Sequence, residues 1–256
     1  MLLLKITIVP LFIGLVTLAG RRWGAGVAGL LGGLPVVAGP IVVFVALEQG
    51  PQFGALTATA AIAGIAGLLV FGLAYAWAST RWSWPAALCC GVLAWFVCAL
   101  GLAALPARPE TTLLVAAIAL LATPRALPPG APSPGRASLR DLPYRMATGA
   151  LLTIGVTAVA ATVGEVWSGL LAVFPIIGLV LAVFTHRGQG ARQVAFMYRG
   201  MVKGLYSFAA FFLALALLWP RMEFWGALAA AIGAGIVVQA AVQWLAMPRR
   251  ELQPTR

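Results

Sequence analysis

The chain has 256 residues, of which 62% are hydrophobic and 9% charged, and its formal net charge is +11. This composition excludes an ordinary soluble globular domain and is typical of an integral membrane protein. The basic residues lie in short loops between apolar runs, where they are expected to orient helices, so the charge does not indicate nucleic-acid binding.

Nine apolar runs are candidates for membrane-spanning helices, each of which needs roughly 20 residues. They cover residues 2–20, 24–47, 53–79, 82–105, 110–123, 145–163, 166–185, 192–219 and 223–247. The fifth run is the weakest, because its purely apolar part falls below the lower limit of about 17 residues. The first run is expected to remain as a helix, because the Arg21 and Arg22 pair follows it, whereas a signal peptide carries its basic residues first.

The loop charges support nine crossings. One side of the membrane then receives Arg21, Arg22, Arg81, Arg125, Arg136, Arg140, Arg145, Arg187, Arg192, Arg249, Arg250 and Arg256. The other side receives Arg108 and Arg221 between helices, and omitting the fifth crossing mixes the two sets. By the positive-inside rule the N-terminus is outside and the C-terminus is cytoplasmic, as expected for a bacterial inner-membrane protein.

An internal duplication organises the chain. The segment 29–35 returns as 169–175, at an offset of 140 residues (169 − 29). At this offset 11 of the 41 positions from 24 to 64 are identical to their counterparts. We call this offset the repeat spacing. Because five crossings separate the copies, the second is inverted, an arrangement found in many secondary transporters. The sequence therefore predicts an all-α polytopic membrane protein in a 4+1+4 arrangement.

The expected boundaries follow from the duplication. They are a first four-helix repeat at 1–105, a short extra helix with a proline-rich cytoplasmic linker at 106–143, a second repeat at 144–247 and a cytoplasmic tail at 248–256. The linker itself covers 124–143, beginning at Pro124, and cannot bury enough apolar surface to fold.

Each repeat has a proline near the middle of its second span, Pro35 in the first and Pro175 in the second, and Pro40 adds a second interruption. Proline removes a backbone hydrogen bond, and in lipid the freed carbonyl must face protein or a wet cavity. Two broken spans in inverted halves indicate a midplane binding site. A kink that only serves helix packing is the alternative.

Small residues occur on two spans at a spacing that allows close contact between helix backbones. Gly29 and Gly33 lie on the second span, and Gly200 and Gly204 lie on the eighth.

The eighth span carries Arg199, Lys203 and Tyr206 on one helical stripe. Lys203 falls roughly 17 Å inside the span at 1.5 Å per residue, where an uncompensated charge costs at least about 3 kcal/mol. With Gln239 on the ninth span, these residues are candidates for a substrate site. The positive stripe favours an anionic ligand, and a neutral Lys203 is the alternative, because burial disfavours the charged form.

Glu48 and His186 lie at span boundaries and are candidates for gating or boundary roles. A solvated His186 beside Arg187 is the simpler interpretation. The sequence has no paired histidines for a metal, no Ser/His/Asp set and no phosphate loop, so no enzyme activity, metal or cofactor is expected.

Each half resembles the small four-helix bacterial inner-membrane proteins of the GlpM-like and related uncharacterised groups. The resemblance lies in Gly29-Leu30-Leu31-x-x-x-Pro35 with Glu48-Gln49-Gly50, and in Gly169-Leu170-Leu171-x-x-x-Pro175 with Gly188-Gln189-Gly190. It implies a bacterial inner-membrane location and a four-helix unit, here fused into an inverted pair.

Two functions fit these features. The first is a permease or exporter of a small solute, an anion being one candidate, that works within the lipid bilayer. The second is a non-transporting membrane protein that assists envelope or polysaccharide assembly. Either function is compatible with an oligomer.

Overall fold

The structure is a computed structural model that describes residues 2–104, 108–132, 138–160, 162, 171 and 174–246. Within these residues the fold is all-helical, as predicted, and contains no strand. The helices are α1 Leu2–Trp23, α2 Ala25–Gly32, α3 Ala38–Gln49, α4 Pro51–Ser79, α5 Trp84–Ala103, α6 Pro109–Ala126, α7 Leu142–Ala160, α8 Ile176–Gln189, α9 Ala191–Leu218 and α10 Phe224–Leu245. A short 3-10 turn, Leu139–Asp141, precedes α7.

Four of the described helices, α4, α5, α9 and α10, are long and apolar enough to cross a membrane, and α3 and α8 are shorter apolar helices. Helices α4 and α9 form the buried centre, whereas α5 and α10 expose large apolar side chains such as Leu93, Val97, Ile236 and Val237. Apolar faces of this extent are expected to meet lipid. The protein therefore has the helices of a membrane protein.

The second span is interrupted at Pro35, as predicted. Helix α2 ends at Gly32, and the N–H of Leu34 still donates to the carbonyl of Leu31 at 3.1 Å. The next backbone bond runs from the N–H of Gly39 to the carbonyl of Pro35 at 2.7 Å, where α3 has begun.

The prediction of a second interruption at Pro40 was wrong, because α3 runs without a break through that residue. Pro40 is the third residue of α3, and the first N–H groups of a helix have no acceptor within it. A proline there removes no hydrogen bond.

The chain around Pro175 repeats the same pattern at the repeat spacing. The N–H of Phe174 donates to the carbonyl of Leu171 at 3.1 Å, and that of Leu179 donates to the carbonyl of Pro175 at 2.8 Å. Helix α8 begins directly after Pro175, at Ile176. The earlier part of this predicted span, residues 166–170 and 172–173, lies outside the described residues.

The turns between helices also recur at the repeat spacing. Gly50 separates α3 from α4 with φ +93°, and Gly190 separates α8 from α9 with φ +85°. Their N–H groups donate to the carbonyls of Ala46 and His186, which are again repeat counterparts. Only glycine adopts these backbone angles without strain, which explains the recurrence of the Gln-Gly pairs.

The hairpin of α3 and α4, which turns at Gly50, and the hairpin of α8 and α9, which turns at Gly190, run in opposite directions. Gly54, near the start of α4, packs against the ring of Trp219 at the end of α9, and Gly72 packs against Tyr198 near the start of α9. Helices α4 and α9 are therefore antiparallel. The turn at Gly50 lies at one end of the bundle, called the Gly50 end, and the turn at Gly190 lies at the other, called the Gly190 end.

Basic residues collect at the Gly190 end. The guanidinium of Arg187 lies 5.6 Å from the ring centroid of Trp84, so the turn between α4 and α5, with Arg81, belongs to this end. The Gly50 end carries Glu48 and Arg221 instead.

Helices α2 and α9 touch through glycines, as their spacing predicted. A Cβ at Gly29 would collide with the carbonyl oxygen of Met197, and one at Gly33 would meet the Cα of Gly204 at 3.1 Å. A Cβ at Gly200 would collide with the backbone of Gly26. The two predicted glycine pairs thus form one contact between two helix backbones.

Helix α6 continues through Pro124 to Ala126, so the predicted start of the linker at Pro124 was wrong. Pro124 cannot donate to the carbonyl of Leu120, and the hydroxyl of Tyr206 donates to that carbonyl at 3.3 Å instead. The N–H of Leu127 still donates to the carbonyl of Thr123 at 3.0 Å. Leu127 and Pro128 are buried, so the first residues after α6 are held in the bundle.

Candidate functional site

A cavity of about 850 Å³ lies beside the interruption between α2 and α3. Its walls come from the interrupted segment, α3, α9 and α10, and include Pro35, Phe44, Phe211, Gln239 and Gln243. This volume is within the range of pockets that hold small organic ligands. We call this space the Pro35 cavity.

The Pro35 cavity lies at the middle depth of the bundle. Gly33 is next to Gly204 and Leu205, and Gly39 is next to the ring of Phe211. Gly204 and Leu205 lie at the centre of α9, which spans Ala191–Leu218, and Phe211 lies nearer its end. The interruption therefore begins at the middle of α9 and extends from there toward the Gly50 end.

Gln239 is the most informative residue of this cavity. Both polar atoms of its side-chain amide are buried, and neither has a hydrogen-bond partner among the described residues. The neighbouring hydroxyl of Ser207 is already used, because it donates to the carbonyl of Gly235 at 2.8 Å. An unsatisfied buried polar group costs about 1–3 kcal/mol, so a ligand that both donates to and accepts from Gln239 would recover this energy.

The two prolines have different surroundings. Pro35 lines the cavity, whereas Pro175 is buried, precedes α8 and is not among the residues of the cavity wall. The two interruptions nevertheless adjoin, because a Cβ on Gly32 would lie 3.5 Å from Ile177 and 3.1 Å from Leu181.

A second cavity of about 310 Å³ lies at the counterpart of the Pro35 cavity. Seven of its wall residues, Leu88, Val92, Phe174, Leu179, Val180, Val183 and Phe184, are the repeat counterparts of Leu228, Ile232, Leu34, Gly39, Pro40, Val43 and Phe44 in the larger cavity. The smaller cavity has no polar wall residue apart from Thr148.

One tryptophan accounts for much of the difference in size. The counterpart of Gly235 is Trp95, and the counterpart of Ser207 is Gly67. The Trp95 ring lies edge-on to Phe174 with centroids 4.8 Å apart, and a Cβ on Gly67 would lie 3.1 Å from its Nε1. Beside the smaller cavity a large ring thus occupies space that is left open beside Gly235 in the larger one.

Arg199 and Tyr206, predicted as ligand residues, bind α6 and the residues directly after it. The guanidinium of Arg199 donates to the carbonyls of Pro128 at 2.9 Å and Leu127 at 3.2 Å. The hydroxyl of Tyr206 donates to the carbonyl of Leu120 at 3.3 Å. A role in ligand binding stays a prediction for both.

Sequence reasoning did not anticipate this use of Arg199. The carbonyls at the end of a helix lack partners within it, and an arginine near them is a suitable donor. The proline at 124 signals a free carbonyl only at Leu120, the acceptor of Tyr206, whereas the pairing of Arg199 with the carbonyls of Leu127 and Pro128 depends on tertiary structure.

Lys203 is exposed and makes no hydrogen bond or ion pair within the described part of the chain. It lies one turn before Ser207 on α9, and Gln239 lies one turn after Gly235 on α10. The rings of Trp219 and Phe224 stack 5.4 Å apart across the short turn between α9 and α10, so these two helices are antiparallel. Because Ser207 bonds Gly235, Lys203 and Gln239 are therefore at the same depth.

The predicted boundary residues lie at opposite ends of the bundle. Glu48 is exposed at the end of α3, at the Gly50 end. At the Gly190 end, Nδ1 of His186 is 3.4 Å from the hydroxyl of the buried Tyr75, and the two rings meet edge-on. Neither residue lines the Pro35 cavity.

The described residues define an all-helical protein with apolar helices suited to a membrane, and with one large cavity at an interrupted helix. They contain no cluster of three or more histidine, cysteine or acidic residues that could hold a metal ion. Comparisons with protein-family models, curated proteins and solved structures found no match. The resemblance to the GlpM-like group therefore stays a prediction.

Proposed function

We propose that this protein is a permease or exporter of the bacterial inner membrane, built from two inverted four-helix halves. The proposal has nine crossings, with the N-terminus outside and the C-terminus in the cytoplasm. It is supported by the backbone hydrogen bonds that recur at the repeat spacing and by the opposite directions of the hairpins α3–α4 and α8–α9. The concentration of arginines at the Gly190 end supports this end as the cytoplasmic one.

In this proposal the ligand binds in the Pro35 cavity. The observation that carries it is the amide of Gln239, which is buried beside a broken helix at middle depth and has no partner among the described residues. Polar groups inside a membrane protein are costly and tend to mark the path of a substrate. The interrupted backbone at Pro35 adds backbone N–H and carbonyl groups that a ligand could bind.

The non-transporting assembly protein is the second candidate. It is favoured by Arg199 and Tyr206, which bind the backbone of α6 and of the residues after it. Under that function Pro35 and Pro175 serve only as packing kinks. The Pro35 cavity would then stay closed to water-soluble molecules.

Cysteine labelling separates the two functions without knowledge of the substrate. Cys89, Cys90 and Cys98 are first replaced by alanine, and Gln239→Cys is then introduced into the reconstituted protein. A membrane-impermeant, water-soluble thiol reagent is expected to label this cysteine, because a transport site must open to water.

The control is Ala99→Cys, since Ala99 on α5 is the counterpart of Gln239 at the repeat spacing and is buried. It is expected to stay unlabelled. If Gln239→Cys is as unreactive as Ala99→Cys from both sides of the membrane in folded protein, the permease proposal fails.

A further inference from the structure

We propose that the ligand of the Pro35 cavity is an amphiphile taken sideways from the bilayer, with an acyl chain and an anionic head group. This inference rests on the permease proposal and names its substrate class. Three observations carry it: the distribution of polar groups in the cavity, the position of its walls and the isolation of Lys203.

The Pro35 cavity is polar toward one end and apolar toward the other. Gln239 and Gln243 lie one turn apart in the second half of α10, nearer the Gly190 end. Phe44, Leu228 and Ile232 line the part nearer the Gly50 end. A molecule with a polar head and an apolar chain matches this arrangement, with its head toward the arginine-rich end of the bundle.

The walls of the cavity reach the flank of the bundle. Val36, Phe44, Ile232 and Ile236 line the cavity and are exposed in the described structure. At this depth the flank of a membrane protein faces hydrocarbon, so an apolar chain can pass from the bilayer into the cavity without crossing water. A hydrophilic solute that entered by this side route would lose its hydration without compensation, so the side route favours an apolar chain.

Lys203 supplies the charge for the head group. An ammonium at middle depth is costly unless it meets water or an anion, and Lys203 has no partner in the described part of the chain. Lys203 is at the depth of Gln239 but is not among the wall residues of the Pro35 cavity, so the head group is proposed to extend from the amide toward the lysine at the flank of the bundle. We infer that the head group is a carboxylate or phosphate and not a cation.

The test uses a photoactivatable long-chain fatty acid, a palmitate analogue with a diazirine in its chain, added to protein reconstituted in liposomes. Labelled peptides are mapped by mass spectrometry. We expect labels on the segments that contain Phe44 and Ile232, and competition by unlabelled palmitate.

The decisive variant is Ser207→Gly with Gly235→Trp, which copies the Gly67 and Trp95 pair of the first half into the cavity. Because the fold already accommodates this pair, the variant is expected to fold and to lose at least about tenfold of the labelling. If it does not fold, Ile232→Trp narrows the cavity from an exposed wall position and serves the same purpose. Lys203→Met is expected to weaken probe binding three- to tenfold, whereas Arg221→Met at the Gly50 end leaves it unchanged.

The inference is overturned if labelling survives the filled cavity, since the probe then marks only lipid around the protein. It is also overturned if the labelled sites belong to a contact between two copies of the chain. If a water-soluble reagent reaches Gln239→Cys and palmitate does not protect it, the permease stands and the amphiphile fails. If neither the reagent nor the probe reaches the cavity, both proposals fail.

Discussion

Single glycines decide how closely α2 approaches α9. Gly29 faces the carbonyl oxygen of Met197 without room for a methyl group, and Gly204 faces the backbone of Leu30 in the same way. The added atom would have to push two backbones apart, because no flexible side chain lies between them. The approach of these helices therefore depends on the absence of side chains at this contact.

We predict that Gly29→Ala destabilises the protein by about 1–3 kcal/mol, the usual cost of overpacking a tight contact. The control is Gly233→Ala on α10, where a Cβ would meet nothing within 4 Å and helix propensity favours alanine. Thermal unfolding in detergent measures both. Equal unfolding temperatures for the two variants would contradict the described contact.

The residues of the candidate site were only partly predictable. Pro35 and Gln239, both predicted as site residues, line one cavity. They could be predicted because a helix-breaking proline and an amide among apolar residues are visible in the sequence. The isolation of the Gln239 amide depends on distances between α3, α9 and α10, which no local pattern encodes. For Arg199 the sequence predicted a ligand-binding charge, whereas in the structure its guanidinium donates to the carbonyls directly after α6.

Helix α6 is the element whose position depends most on side-chain donors. Both halves contribute to it, since Nε1 of Trp77 on α4 donates to the carbonyl of Ala126 at 2.8 Å, and Arg199 on α9 donates to the next carbonyls. Helix α6 and the residues after it are therefore fixed to α4 and α9 by bonds to the backbone.

We predict that Arg199→Met increases hydrogen exchange in the last turn of α6 and in residues 127–132, because two carbonyls lose a charged donor worth about 1.5–3 kcal/mol. Arg192→Met is the control, since Arg192 lies on the same helix and is exposed. Exchange mass spectrometry of both variants makes the measurement. Unchanged protection of α6 in Arg199→Met would show that this contact does not hold the helix.

The elements differ in how well the sequence predicts them. The interruption at Pro35 was predictable because a proline in a helix interior removes a backbone hydrogen bond and disfavours the helix, although α1 and α6 continue through Pro10 and Pro124. Continuity through Pro40 was not, because it depends on where α3 restarts. The start of α6 at Pro109 agrees with the predicted fifth run, but its end at Ala126 needed the buried surroundings of Leu127 and Pro128.

At the scale of the whole molecule, related hairpins produce unequal cavities. The counterpart walls of the two cavities come from the same repeat positions, yet Trp95 packs against Phe174 beside the smaller cavity, whereas Gly235 leaves the larger one open. Both cavities take walls from both halves, and under the proposed function the ligand uses the cavity between α3 and α10, whereas the equivalent space between α8 and α5 serves packing. The recurrence of residues at the repeat spacing was visible in the sequence. The difference between the two cavities was not, because it depends on how the side chains at positions 95 and 235 pack against their neighbours.

A permease with a midplane site between inverted halves requires that the hairpins α3–α4 and α8–α9 cross the bilayer in opposite directions. Gln49 and Gln189 are counterparts beside the turns at Gly50 and Gly190, so they form a matched pair. In a chain without its native cysteines, Gln49→Cys should react with an impermeant thiol reagent added outside intact cells. Gln189→Cys should react only after the cytoplasmic face is exposed in inverted vesicles. Reaction of both cysteines from the same side would contradict the inverted arrangement and with it the proposed midplane site.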